Sequence, residues 1–317
     1  MKYIRVLIAI FALFSISSAA RAETDPRDYA AIAPAKNNSL VTLGYARAVS
    51  TSDSSNLSQT VGILRALYLM KFGNLALIPF DMFVPMAEVT VYEPPVGTMM
   101  MPAPTFFRAQ RILEHVSGLA DLTYLPTIAL VNPEGEGTST TAALSVYVTP
   151  PTGMYDQTKL VNIGNHRWDV QPQIAIAQRI STLFTAEAVA YGIFHTDNTA
   201  FQPPAMLPLQ TLKRNWNWGA DVHVAYSPTV TGWIGLSYYV QAFGRAFFEP
   251  TADGMVVAPE VTTGSQQTVH TVRVTWGWRV EKDSLILFQF NQDVAATGEG
   301  ASIGRFIGAR LSHTWEL

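Results

Sequence analysis

The feature that most restricts the fold is a strict alternation of residue types near the end of the chain. In residues 271–280 the even positions are apolar, and the odd positions are polar or glycine. The apolar positions are Val272, Val274, Trp276, Trp278 and Val280. A period of two separates such residues onto opposite faces only in a β-strand. A polar turn at 281–284 leads to a second alternating run, 285–294, and a third run, 305–317, closes the chain. These runs predict consecutive antiparallel strands.

The apolar face of these strands is typical of a wall that contacts lipid. It carries paired tryptophans, which a soluble sandwich would have to bury in a core. Only 14% of the 317 residues are charged and 48% are hydrophobic, against about 25% charged in an average soluble protein. After the N-terminal region, no segment offers the roughly 18 apolar residues that a membrane-spanning helix needs. We therefore predict an all-β protein, a transmembrane antiparallel up-and-down β-barrel with polar residues inside.

The N-terminus indicates export. Lys2 and Arg5 precede an apolar run at 6–16, and small residues follow up to Ala22, which is the pattern of a secretory signal peptide. We interpret 1–22 as the signal peptide, 23–39 as a periplasmic lead and 40–317 as the barrel. The expected location is the cell outer membrane, with outer-membrane lipid and the barrel-assembly machinery as partners.

The rest of the chain divides into further candidate strands, which bring the expected total to about 12. They are residues 40–48, 61–70, 75–91, 119–131, 140–148, 168–180, 182–194, 212–226 and 231–247. Short and long connections alternate between them, as in barrels with tight periplasmic turns and long extracellular loops. Within the long segment 92–117, the spacing of apolar residues from Phe106 to Val116 predicts a short amphipathic helix. Aromatic residues near strand ends are expected to form interfacial girdles. They are Trp168, Trp216, Trp218, Tyr226, Trp233 and Trp315.

The polar face of the strands supplies the candidate lumen residues. They are Glu187, Asp221, His223, Tyr239, Gln241, Phe243, Arg245, Arg273, Arg279, Asp293 and Arg310, with Gln289 and Asn291 beside them. Such side chains solvate or brace the inside of any barrel, or they set selectivity at a constriction. Tyr239 and Phe243 either fill the bore or stack with an aromatic or apolar solute.

One long loop carries an unusually apolar group of residues. It consists of Met99, Met100, Met101, Phe106 and Phe107. Flexible methionine and aromatic surface can bind varied apolar ligands. The same residues can instead pack the loop down as a lid.

The sequence offers little for catalysis. It contains no cysteine, which removes thiol chemistry and cysteine-ligated metals, and its net charge of −3 disfavours a nucleic-acid partner. Ser312 and His313, with His270 nearby, form the only cluster that could serve a hydrolase, which needs a nucleophile, a base and an orienting group, and the cluster is weak. Tyr155 and Asp156 are better explained by turn chemistry than as a catalytic or metal-binding pair. We expect no enzyme activity, no cofactor and no metal site.

Four segments resemble, in order, an outer-membrane family named for the MetA pathway of phenol degradation. They are residues 29–46, the Gly-Leu-Ala-Asp-Leu of 118–122, the Pro-Thr-Gly-Met-Tyr-Asp of 151–156 and the Asn-Ile-Gly-Asn-His-Arg-Trp of 162–168. The resemblance implies an outer-membrane channel or transporter for small apolar or aromatic molecules, linked to aromatic hydrocarbon breakdown. The alternative is a structural or surface-binding barrel without transport.

Overall fold

The protein is described here by a computed structural model that covers residues 29, 38–50, 57–92, 112–135, 138–157, 159, 162–201, 210–249, 266–298 and 304–316. The strands are β1 (Asn38–Ser50), β2 (Leu57–Phe72), β3 (Leu75–Tyr92), β4 (Ile112–Leu119), β5 (Thr123–Tyr124), β6 (Thr127–Gly135), β7 (Thr138–Thr149), β8 (Asp169–Arg179), β9 (Phe184–His195), β10 (Asn198–Phe201), β11 (Gln210–Arg214), β12 (Asn217–Tyr226), β13 (Gly232–Phe243), β14 (Ala246–Glu249), β15 (Gln267–Glu281), β16 (Ser284–Thr297) and β17 (Gly304–Glu316). Over these ranges the regular structure is all β. The described residues include no helix long and apolar enough to cross a membrane.

The main sheet closes on itself. β1 pairs antiparallel with β2 on one side and with β17 on the other, so the first and last strands meet. Counting β4, β5 and β6 as one interrupted strand, the sheet is a closed antiparallel barrel of twelve strands, as the sequence predicts. Closure satisfies the backbone hydrogen bonds of every edge, which lipid requires.

The connections are sorted by length between the two ends of the barrel. The end that holds the tight turns at 73–74, 180–183 and 282–283 also holds the start of β1 and the end of β17. The strand ends that the long connections join, such as the end of β3 with the start of β4 and the end of β7 with the start of β8, lie at the other end. Outer-membrane barrels keep their short turns in the periplasm, so we call these the periplasmic and outer ends.

The fourth strand of the wall is interrupted. β4 pairs with the outer half of β3, β5 pairs with Met82 and Phe83, and β6 pairs with the periplasmic end of β3. The sequence predicts one strand here at 119–131 and a helix before it. The helix prediction is wrong for the residues that the structure describes, because Ile112, Leu113 and Val116 lie in β4. Pairing with the long β3 overrides the local helical spacing.

Two further predicted strands are interrupted near the outer end. The segment 212–226 is divided between β11 and β12, and the segment 231–247 between β13 and β14. The Asn215 N–H donates to the Arg245 carbonyl (2.9 Å), and the Gly244 N–H donates to Asn217 Oδ1 (2.7 Å). A Cβ on Gly244 would lie 2.3 Å from the Asn215 carbonyl oxygen, so only glycine fits this approach. Beyond the breaks, β10, β11 and β14 form a separate three-stranded sheet.

The barrel wall faces apolar side chains outward and polar ones inward. On β15, Trp276 is 51% exposed, whereas Arg273 is 4% exposed. Aromatic pairs lie on the outside near both ends, with Trp276 and Phe288 (ring centroids 6.2 Å apart) at the periplasmic end and Phe194 and Trp216 (6.4 Å) at the outer end. The orientation inferred from the alternating runs is therefore the one the structure has.

Trp233 is the exception among the expected girdle aromatics. It is 7% exposed and packs inward with Ala225 and Leu287. A Cβ on Gly277 would lie 2.1 Å from its indole nitrogen, so the ring occupies the space that Gly277 leaves. Trp168, Trp216, Trp218 and Tyr226 are exposed as expected, and the side chain of Trp315 lies outside the described residues.

Candidate functional site in the barrel lumen

A row of polar side chains crosses the wall formed by β9, β12, β13, β15 and β16. Its members are neighbours in register and all are buried. They are Glu187, His223, Ser237, Arg273 and Asn291. We call this row the charged wall. Charges inside a membrane protein face the interior or a water-filled cavity, so we take this row as the candidate site.

Arg273 holds the centre of the charged wall in place. Its Nε donates to Asn291 Oδ1 (2.7 Å), and its guanidinium carbon lies 4.5 Å from the centroid of the Tyr239 ring. The His223 ring meets the same tyrosine edge-on, with centroids 5.4 Å apart. Asp221 is cross-strand partner to Tyr239 and is 2% exposed. With Tyr239 and Asp221 beside it, the charged wall brings a guanidinium, two carboxyl groups and an aromatic face into one small area.

The other predicted lumen residues lie in different places. Phe243 is buried and Gln241 half-buried. Asp293 accepts hydrogen bonds from Thr271 Oγ1 (2.6 Å) and the Gly304 N–H (2.7 Å), which joins β15, β16 and the start of β17. Arg310 is half-buried, with its side chain against Gly44.

The remaining two arginines of the predicted set are exposed near opposite ends of the barrel. Arg245 lies in the strand break between β13 and β14, and Arg279 lies near the periplasmic turn. Of the predicted set, the structure therefore brings Glu187, Asp221, His223, Tyr239 and Arg273 together.

A second wall, formed by β3, β6, β7 and β8, has a different surface. Ala76, Ala129, Ala143 and Ala175 pair successively across these strands, and all four are buried. We call them the alanine row. A row of longer side chains runs parallel to the alanine row, two residues along each strand toward the outer end. It continues in register across the same strands and β9. That row is Ile78, Thr127, Ser145, Gln173 and Tyr191.

Tyr29, from the N-terminal lead, lies inside the barrel against this second wall. It is 5% exposed and belongs to the same buried cluster as the alanine row. Gln173 Nε2 donates to its hydroxyl, and Ser145 Oγ lies 3.3 Å from the same oxygen. Sequence analysis placed Tyr29 only in a periplasmic lead. Its presence in a segment that carries the family resemblance was the available signal.

A buried ion pair braces the inside of β2 and β3, and sequence analysis missed it as well. Arg65 and Asp81 make two hydrogen bonds, and the guanidinium lies 4.7 Å from the centroid of the Phe83 ring. Phe83 packs with Leu125 and Tyr147 in one buried cluster. A lone arginine within the apolar run of β2 was the signal, because such a charge must turn inward.

Three of the segments that carry the resemblance meet at the outer end, where Asp121 fastens a loop to the interrupted strand. Its Oδ1 accepts from the Gly153 N–H and its Oδ2 from the Asn165 N–H, both at 2.7 Å. A Cβ on Gly153 would lie 2.7 Å from the Asp121 nitrogen. Burial raises the pKa of the Asp121 carboxyl above its usual value, and the two backbone donors oppose that shift. We call Asp121 with these two amides the loop clamp.

Tyr155 and Asp156 belong to this loop and take different positions. The Tyr155 ring stacks on His166 with centroids 4.8 Å apart, and its hydroxyl donates to the Ala200 carbonyl (3.1 Å). Burial raises the pKa of this hydroxyl, so it stays protonated at neutral pH. Asp156 is exposed, and its N–H donates to Asn162 Oδ1 (2.7 Å). The two residues hold the loop in shape.

The candidate hydrolase cluster is not assembled. His313 hydrogen-bonds to Ser284 (2.8 Å) at the periplasmic turn. His270 hydrogen-bonds to Tyr238 (2.6 Å) and pairs with Ala295 near the outer end of β16. Met99, Met100, Met101, Phe106 and Phe107 lie outside the described residues, so the binding and lid interpretations of that loop stay predictions.

The closed twelve-stranded barrel, with lipid-facing apolar side chains and a polar lumen, defines a transmembrane β-barrel protein of the outer membrane. A family model described as "Putative MetA-pathway of phenol degradation" matches residues 38–307. The chain belongs to that family.

A solved structure agrees on the fold. The COG4313 outer membrane channel from Pseudomonas putida F1 is similar with a TM-score of 0.73 and 20% sequence identity, over 92% of this chain and 100% of that one. The TodX monoaromatic hydrocarbon channel (deltaS2 mutant) matches with a TM-score of 0.46 and 7% identity, over 91% and 93% of the two chains. That second similarity is too low to carry an argument. A search of curated proteins finds no match.

Proposed function

We propose that this protein is an outer-membrane channel for small apolar or aromatic molecules and that it serves the breakdown of aromatic compounds. Family membership supports the link to aromatic breakdown. The solved structure of similar fold is an outer membrane channel, which agrees with a channel role.

The observation that carries the proposal is the division of the lumen into two walls. The charged wall can hold water and ions, whereas the alanine row offers an apolar surface of small side chains. A bore lined only by charges would suit ions and sugars, and a fully apolar one would be dry. A lumen with both surfaces lets an aromatic ring slide along one wall while its polar substituents face the other.

Initial uptake by whole cells tests the proposal. Wild-type, deletion and complemented strains would be given radiolabelled p-cresol, toluene and benzoate at limiting concentrations. We expect the deletion strain to take up p-cresol and toluene more slowly and the complemented strain to recover. Glycerol uptake, which general porins support, serves as the control. Equal rates for every aromatic solute in all strains would contradict the proposal.

A barrel without transport remains the second candidate, and Tyr29 is the observation that favours it. A side chain that fills part of the lumen reduces the space for a solute. Complementation with Tyr29→Ala separates the two functions. A channel limited by Tyr29 should take up p-cresol faster in this variant, whereas a purely structural barrel should show no change.

A further inference from the structure

We propose that the recess occupied by Tyr29 is a binding site for phenolic solutes and that Tyr29 is its built-in competitor. The inference rests on the proposed function and narrows its solute class to aromatic rings that carry a hydroxyl. The tyrosine side chain is itself a 4-alkylphenol. The barrel therefore already holds, on its inner wall, a ring of the shape and polarity that we assign to the solute.

The alanine row makes the recess. Four successive strands place the smallest apolar side chain at the same level of the wall, and Leu69 and Val131 lie at its margin in the same cluster. The Tyr29 ring packs in that space and is almost fully buried. A small barrel usually fills its bore with bulky side chains from the wall itself. Here the wall leaves the volume open and a residue from outside the strands fills it.

The row above the alanines recognises the hydroxyl. Gln173 Nε2 donates to the Tyr29 oxygen, and Ser145 Oγ lies 3.3 Å away and itself accepts from Thr127 Oγ1 (2.9 Å). A hydroxyl can accept from the amide and also bond to the serine, because it is both donor and acceptor. A methyl group at the same place would leave both partners without that bond at a buried position, which is costly. The recess should therefore distinguish p-cresol from p-xylene, which has nearly the same shape.

Covalent attachment explains why a solute would not simply displace Tyr29. A tethered group competes with an effective concentration on the order of millimolar when the connecting chain is short. Tyr29 precedes β1 by only a short stretch of sequence. A phenol at micromolar concentration would therefore bind weakly to the wild-type protein and more tightly once the tyrosine ring is removed.

Equilibrium dialysis of the purified full-length protein in detergent tests the inference, with radiolabelled p-cresol and p-xylene as probes. We expect saturable p-cresol binding to Tyr29→Ala that is at least several-fold tighter than to wild type. Adding Gln173→Leu to Tyr29→Ala should weaken p-cresol binding by roughly fivefold, the equivalent of one neutral hydrogen bond. The same change should not weaken p-xylene binding.

Tyr147→Ala is the matched control. Tyr147 is an inward tyrosine of similar burial, in the separate cluster with Phe83 and Leu125. Its removal makes a cavity of the same size without the Gln173 and Ser145 partners. Heat-modifiable migration in detergent gels confirms that each variant is folded.

Three results would overturn the inference: no gain of p-cresol binding in Tyr29→Ala, an equal gain for p-xylene, or an equal gain in Tyr147→Ala. The outcome is independent of the uptake experiment. If p-cresol binds selectively but the deletion strain takes up aromatic solutes as fast as wild type, the binding site is supported and the channel function is contradicted. If the deletion strain takes up these solutes more slowly but binding is not selective, the channel function is supported and the binding site is contradicted.

Discussion

Arg65 and Asp81 form a two-pronged ion pair on the inside of the barrel, with Nε–Oδ1 and Nη2–Oδ2 distances of 2.8 and 2.7 Å. The Asp81 side chain is 1% exposed. Removing one partner of a buried pair leaves the other charge without compensation. We expect Arg65→Leu to lower the free energy of unfolding in detergent by about 3–5 kcal/mol, measured by denaturant titration with tryptophan fluorescence.

The double variant Arg65→Leu/Asp81→Leu is the control for that prediction. Replacing both charges by apolar residues removes the uncompensated carboxylate, so much of the stability should return. A single variant as stable as the wild type would show that the pair does not brace the wall.

The loop clamp predicts a local effect. In Asp121→Asn, one of the two acceptor oxygens becomes an NH₂ group, which cannot accept from the Gly153 or Asn165 N–H. We expect limited proteolysis to cut residues 150–168 several times faster while the barrel stays heat-modifiable. Gln157→Ala, an exposed change on the same loop, should be cut at the wild-type rate. Equal cleavage rates in both variants would show that Asp121 does not hold this loop in place.

The charged wall predicts the ion selectivity of the pore. Arg273→Gln removes an inward cation, and Glu187→Gln removes an inward anion from the same row. In planar bilayers with a potassium chloride gradient, the reversal potential should move toward cation selectivity in the first variant and toward anion selectivity in the second. Arg279→Gln, at an exposed position near the turn, should cause a smaller shift. Unchanged reversal potentials in both wall variants would show that the row lines no constriction.

The outward face of β15 predicts a depth-dependent cost for a charge. Val274 lies at the middle of this strand and Val280 near its periplasmic end, and both are exposed. Arginine at the bilayer midplane of a barrel costs about 2–4 kcal/mol, and near the interface about 0–1 kcal/mol. Val274→Arg should therefore be clearly less stable in lipid vesicles than Val280→Arg. Two equal losses would mean that this face does not contact lipid.

Most of the barrel wall could be predicted from the sequence, because the two environments of a strand determine the pattern of its own residues. A strand with lipid on one side and a lumen on the other must alternate, and residues 271–280 show that pattern directly. The same rule placed Glu187, Asp221, His223 and Arg273 inside. The girdle prediction failed for Trp233, which follows the alternation of β13 and turns inward, where the ring needs space opposite it. Here the space comes from Gly277 on the neighbouring strand.

The features that could not be predicted depend on contacts between distant parts of the chain. The three pieces of the fourth strand follow the register of β3, which no local pattern reveals. The recess is formed by alanines on four strands and is filled by Tyr29, and it becomes visible only when the register is known. The resemblance marked the segments around Asp121, Gly153 and Asn165 without indicating that they meet.

Single-channel recording of the purified protein in planar bilayers tests the central claim, that this barrel encloses a path across the membrane. We predict discrete conductance steps in wild type, larger steps in Tyr29→Ala, and interruption of the current in that variant by p-cresol but much less by p-xylene. Folded, heat-modifiable protein that produces no steps in either form would contradict the claim.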